Sequence, residues 1–275
     1  MATQAPKLIQ NYAIPTISRV DALRSFHWLK EGWEDFLSHP VPSVMYGVVI
    51  ATVAWLILTV AAPHPYLVSA AVSGFLLIAP LLAAGIYELT REHEAGTRAT
   101  FLESLRGLRR TAGSIADYGL VLVIMAAVWE RLGAITFALS YGGEMHSVKD
   151  FVHEIFFSGN YIGVMVSWMV CGLALSGFVF SITVVGMPMV IDRNIDVITA
   201  MIASFKTVFT NVAAMLVWAA MIVLFCGCGL AVVMAWVGIF NSLPPYDSLI
   251  ISAPLAIAMP ILGHTSWCAY KDLVH

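Results

Sequence analysis

Apolar residues fall along this chain in six long runs, at about Val44–Ala62, Leu67–Tyr87, Ile115–Leu139, Ile162–Ile191, Val212–Phe240 and Ser248–Trp267. Roughly 20 mostly apolar residues suffice for an α-helix to cross hydrocarbon, so each run predicts a membrane span. Prolines punctuate the spans. Ala61-Ala-Pro-His-Pro-Tyr66 and Asn241-Ser-Leu-Pro-Pro-Tyr-Asp247 break runs too long for one helix and turn the first and last pairs into tight hairpins. The middle pair is joined by a longer stretch in which Val148, Phe151, Val152, Ile155 and Phe156 recur at helical spacing, with Ser147 and Asp150 placed as a capping box. Lys149, Asp150, His153 and Glu154 occupy its other face, which predicts a helix lying on the outer membrane surface.

A second pattern precedes each outward span. Leu29, Trp33 and Phe36 align without gaps with Phe101, Leu105 and Leu108, and these with Met201, Phe205 and Val208. The same offsets bring Tyr46-Gly47 opposite Tyr118-Gly119 and Trp218-Ala219, where aromatic residues favour the interfacial layer. Ser18 with Asp21 and Thr100 with Glu103 have capping-box spacing, Asp196 is a cap for the third segment, and His39-Pro40 ends the first. The expected fold is therefore all-α: a polytopic membrane protein of six transmembrane helices in three hairpins, each preceded by a cytoplasmic amphipathic helix. It has the form of a threefold internal repeat with units at about 18–90, 97–193 and 196–272. Residues 1–17 are expected to be a flexible cytoplasmic segment, and 18–275 a single membrane domain.

Composition agrees with the pattern: 60% hydrophobic and 11% charged residues with a mean hydropathy of +0.85 exclude an ordinary water-soluble domain. The balance of 14 Lys and Arg against 17 Asp and Glu carries no nucleic-acid signature. Basic residues are sharply sided. Twelve of them (Lys7, Arg19, Arg24, Lys30, Arg91, Arg98, Arg106, Arg109, Arg110, Arg193, Lys206 and Lys271) fall on one side, Lys149 alone on the other, and Arg131 within a span. Excess Lys and Arg mark the cytoplasmic face, so both termini are expected in the cytoplasm and the bacterial inner membrane is the expected location. Residues Met1 to Tyr12 lack the charged start and apolar run of a cleavable signal, which leaves insertion to the first span. Cys171, Cys226, Cys228 and Cys268 lie in or near spans and predict packing residues rather than an external disulfide framework.

Polar residues at membrane depth carry the candidate chemistry. Glu130-Arg131 in the third span is the costliest, since an ionised side chain at the hydrocarbon centre costs about 3 kcal/mol on insertion scales. Neighbouring residues on a helix point about 100° apart, so these two face each other poorly. The pair reads as a buried ionic site, a contact to a partner subunit, or a helix end reached early. His264, beside Thr265 and Ser266, reads as a hydrogen-bonded packing histidine, because nothing nearby completes a metal site. Glu88 with Arg91, Asp192 with Arg193, and Lys271 with Asp272 recur at inward helix ends and read mostly as solvated membrane-edge charges. His64, His146 and His153 with Glu144, Asp150 and Glu154 form only a weak outer-face metal pattern. Gly47/Ala51, Ala70/Gly74, Gly172/Ser176 and Gly227/Ala231 allow close helix approach, and Pro80, Pro188, Pro254 and Pro260 can kink spans.

The segment Trp33-Glu-Asp-Phe-Leu-Ser-His-Pro40, the helix end Ala79-Pro-Leu-Leu-Ala-Ala-Gly-Ile-Tyr-Glu88 and the six spans together resemble a bacterial family of uncharacterised integral membrane proteins, a domain of unknown function. The resemblance covers most of the chain from about Ile14 onward. Some members of that family carry the label of likeness to cytochrome c oxidase subunit I. A haem–copper core requires several intramembrane histidines as axial and copper ligands, and only His264 qualifies, so oxidase catalysis is not expected.

The sequence thus predicts no catalytic residues, no metal and no cofactor. It predicts a non-enzymatic accessory or scaffolding subunit of a larger, respiratory or other, membrane complex. Its partners would be the lipid bilayer and other membrane subunits, without nucleic acid. The alternative is a carrier or channel for a small solute or lipid, and a lipid-modifying enzyme ranks last for want of an acid–base or metal constellation.

Overall fold

The computed structural model describes residues 15–61, 74–75, 79–97, 100–140, 159, 161–240 and 254–275. Ten α-helices are defined among them: α1 (Arg24–Ser38), α2 (Pro40–Ala61), α3 (Ala84–Glu94), α4 (Phe101–Gly107), α5 (Ala112–Ser140), α6 (Ile162–Thr183), α7 (Gly186–Arg193), α8 (Val197–Thr210), α9 (Val212–Phe240) and α10 (Leu255–Leu273). Three helical stretches are long and apolar enough to cross a membrane, Pro40–Ile57, Phe101–Thr136 and Ile162–Arg193. A fourth is reached if α8 and the first part of α9, bent by 103°, count as one. The protein is an all-α integral membrane protein in contact with lipid. Much of the expected second span, the start of the sixth, both proline turns, the surface helix at 147–156 and the outer histidine cluster lie outside the described residues.

Helix starts follow local chemistry. Thr100 and Glu103 close a capping box at α4, and Asp196 accepts from the Thr199 amide at 2.9 Å to start α8. Ser18 and Asp21 do not cap α1. That helix starts after Leu23, whose amide donates to Asp21 Oδ2 at 3.0 Å, while the Ser18 amide donates to the Leu273 carbonyl at 2.9 Å. Tertiary pairing captured the predicted cap. The expected fourth span is interrupted at Val184–Val185, where α6 gives way to α7, and α7 ends on Asn194 in the left-handed region at φ 51°. The expected second surface helix is short and runs through a 3-10 turn, Leu108–Thr111, directly into α5.

The core lies at the end of the bundle where the basic residues gather. There the returning helices α3, α7 and α10 contact one another, and the preceding amphipathic helices wrap them: α1 on α10, α4 on α3, α8 on α6 and α7. α1 shows why a surface segment takes this role. Ser25, Trp28, Gly32 and Phe36 form one buried stripe, Leu23, Phe26, Trp33 and Leu37 an exposed apolar stripe, and His27, Glu31 and Glu34 a polar one. Gly32 lies so close to α10 that an added Cβ would strike the Thr265 backbone and hydroxyl, and Gly47 of α2 lies likewise against the Ala256 carbonyl. Tyr46, Tyr118 and Trp218, expected at the lipid interface, are instead buried within the protein. A clasp completes this end: Ile17 pairs antiparallel with Val274, and the His275 amide donates to the Thr16 carbonyl at 3.0 Å.

Candidate functional site

Polar groups of the three returning helices converge where the core is densest. Glu88 of α3 is fully buried, not solvated as the sequence suggested. Arg91, one turn on, donates to both of its oxygens (Nε to Oε2 at 2.9 Å, Nη2 to Oε1 at 2.7 Å), and Arg110 of the 3-10 turn adds a bond to Oε2 at 2.7 Å. Arg110 also donates to the Ile191 carbonyl at the C-terminal end of α7, so one guanidinium joins three elements. Burial alone would raise the Glu88 pKa, but the Arg91 and Arg110 hydrogen bonds and charges outweigh it and hold the carboxyl below its ordinary range. Glu92, one turn further, shifts the other way. Burial and the adjacent Glu88 charge push its pKa up, and its Oε2 is buried without a hydrogen-bond partner.

The network continues around α10. Asp192 accepts from the Tyr270 hydroxyl at 2.8 Å and from Lys271 at 3.4 Å, while Arg193 donates to the Tyr270 oxygen and the Val274 carbonyl, each at 3.0 Å. Glu94 of α3 takes the Trp267 indole N–H at 2.7 Å and faces Lys271 at 3.3 Å. On the far side of α10, Asp272 binds Arg24 at 2.8 and 3.0 Å and the Trp28 indole at 2.8 Å. The Arg24 hydrogen bond, with help from Trp28 and against partial burial, holds the Asp272 pKa down. Cys268 Sγ lies 3.6 Å from Asp35, whose pKa burial raises.

His264 is fully buried between α2 and α3. The Thr90 hydroxyl donates to the Ile86 carbonyl at 2.9 Å, so at 2.7 Å its oxygen accepts from His264 Nδ1–H. In a neutral ring that leaves Nε2 to accept the Ser43 hydroxyl at 2.9 Å. His39 and His93 stack nearby, with ring centroids 3.3 Å apart. Among the described residues no group of three or more His, Cys, Asp or Glu side chains is placed to hold a metal ion.

Glu130 and Arg131 are in a different setting. Both are exposed on α5, and neither pairs with another described residue. Trp129, by contrast, faces inward, stacked on Trp168 of α6 with centroids at 5.6 Å and fitted against Gly172. α5 runs on to Ser140, roughly 15 Å past Glu130 at 1.5 Å per residue, so the pair does not mark a helix end.

Of the residues the sequence singled out, the structure brings Glu88, His264 and Asp192 to one end of the bundle and leaves Glu130 and Arg131 apart on its flank. Arg110, Tyr270, Trp267 and Trp28 were not anticipated. Each sits near a predicted helix end with its donor free to reach across, but only tertiary packing decides which acid it meets.

A family model described as a predicted integral membrane protein (DUF2189) matches residues 67–192, which hold α3 to α6, all but the last residue of α7, and Glu88, Arg110, Glu130 and Asp192. No curated protein and no solved structure matches the chain.

Proposed function

We propose that the protein is a non-enzymatic accessory or scaffolding subunit of a larger membrane assembly, with Glu130 and Arg131 at the contact to a neighbouring subunit. One observation carries this reading: an ionisable pair at membrane depth points outward from an apolar helix, while other carboxylates at the basic end are neutralised internally. Charges facing lipid are costly, and a polar partner helix relieves that cost. The six-span plan, with both termini in the cytoplasm and an inner-membrane location, belongs to the same proposal and is supported by the basic residues gathered at one end of the bundle.

The threefold plan of units 18–90, 97–193 and 196–272 within one domain is supported by cyclic packing. The leading helix of each unit lies on the returning helix of another: α1 on α10, α4 on α3, α8 on α7. The repeat offsets also place Gly32, Ser104 and Ser204 opposite one another, and all three are buried. Gly32 meets Thr265, Ser104 bonds the Tyr46 hydroxyl at 2.8 Å, and Ser204 donates to the Ser181 carbonyl at 2.8 Å.

Blue-native electrophoresis from mild detergent tests the proposal. Wild type is expected in a species larger than the single chain, and a variant with Glu130→Gln and Arg131→Gln as the single chain. A wild-type protein that extracts alone would overturn it. The second reading, a carrier or channel, draws on the break at Val184–Val185 and on Pro260 inside α10. In reconstituted vesicles it predicts solute flux that Glu130→Gln alters.

A further inference from the structure

The corner between α8 and α9 presents a continuous apolar surface that the other described residues do not cover. α8 buries Ala200, Ala203, Ser204 and Thr207 and exposes Ile198, Ile202, Phe205 and Phe209 on its opposite side. α9 continues that surface through exposed Val212, Leu216, Val223 and Leu224, after a turn of 103°. Leu23 and Phe26 of α1 are also exposed, and α1 is fixed against α9 by the Ser25 hydroxyl on the Ala214 carbonyl at 2.8 Å. A near right angle between a spanning helix and an amphipathic one fits the geometry of a bilayer edge: α9 along the acyl chains, α8 at the headgroup boundary.

Within α8 and α9 the charge has one sign. From Val197 to Phe240 the sequence contains no Asp or Glu, and its single ionisable base is Lys206. Asn211, buried at the elbow, accepts from the Val20 amide at 2.9 Å and donates to the Ser18 carbonyl at 2.9 Å, which brings exposed Arg19 to the same corner. Asp21, the acid closest in sequence to Arg19, lies beside the corner on its α1 side, with Oδ2 accepting from the Leu23 amide. Neither Lys206 nor Arg19 forms an ion pair among the described residues.

We propose that this elbow binds anionic phospholipid, its apolar faces among the acyl chains and Arg19 and Lys206 on the headgroup phosphate. Lipid fits better than a second protein, because the exposed surface continues without a boundary into the lipid-facing side of α9 and follows the corner that a bilayer imposes. Each basic residue near a membrane surface favours anionic lipid by a factor of about five, so two together give a preference of about thirtyfold.

The test is native mass spectrometry of the full chain, released from detergent containing equal phosphatidylglycerol and phosphatidylcholine. Wild type is expected to retain phosphatidylglycerol about thirtyfold over phosphatidylcholine. The variant with Arg19→Gln and Lys206→Gln is expected to retain both about equally, and each single variant to fall between. These side chains are exposed, so folding should survive, and circular dichroism checks it. Equal retention by wild type, or an unchanged preference in the folded double variant, overturns the proposal. So does protection of α8 from hydrogen exchange only when a protein neighbour is present and not in nanodiscs containing phosphatidylglycerol.

Discussion

Two Glu and Arg groupings in this protein meet opposite fates. At Glu88 the nearest arginine lies three residues on, on the same helical face, and a second arrives from the 3-10 turn; the carboxylate is fully buried with three donated hydrogen bonds. At Glu130 the arginine is the next residue, pointing about 100° away, and both side chains remain exposed on a span. A one-turn spacing lets a helix neutralise its own charge, whereas adjacency leaves two charges for something else to satisfy. The first arrangement closes the basic end of the bundle, and the second leaves two ionisable side chains on its exposed flank.

The comparison breaks first at Glu88. Glu88→Gln strands two arginines beside a buried amide and should cost about 3 kcal/mol, below the full range for a wholly buried pair because Arg91 and Arg110 are partly exposed. Thermal unfolding in detergent would show it. The same carboxyl gives a pH signature. Its folded pKa is depressed, so its stabilisation is present above the ordinary glutamate value of about 4.3 and is lost as pH falls through the lower folded value. The wild-type melting temperature should therefore drop in that acid range, and the drop should shrink in Glu88→Gln.

Next in size is Gly32→Ala, which would push α1 from the Thr265 backbone at a cost of about 2 kcal/mol and should be detected as loosened exchange protection in α1. Asp196→Ala, which removes the α8 cap, should cost about 1 kcal/mol in the same melts. Glu130→Gln with Arg131→Gln should change the stability of the isolated chain by no more than about 0.5 kcal/mol. A large loss there would mean that the pair is engaged within the chain, and the contrast with Glu88 would fail.

How much of this was legible in the sequence depended on range. The runs at Ile115–Leu139 and Val212–Phe240 map onto α5 and α9 because a helix in lipid satisfies its own backbone and needs only a long apolar stretch. Thr100 with Glu103 and Asp196 were legible for a similar reason, a cap being closed within four residues. Ser18 with Asp21 has the same spacing as Thr100 with Glu103 and failed, because Leu273 and Asn211 lie close enough to claim the backbone there first. Glu88 was visible as a charge at a helix end, but its burial depends on Arg110, 22 residues away, and on α7 closing over both. Tyr46 and Trp218 illustrate the same limit: an aromatic residue one turn into a span suits a lipid interface and a protein core equally well, and the neighbouring helices decide.

The contact between α1 and α10 has a consequence for biosynthesis. α1 leaves the ribosome more than 200 residues ahead of α10, roughly 10 to 40 s at ordinary elongation rates. Until then Trp28, Gly32 and Phe36 lack the helix they mainly settle against, and the bridge of Ile17 waits for Val274. The first of the described helices to be made is thus among the last to dock, and throughout that interval its greasy flanks need shelter from the membrane surface or a chaperone.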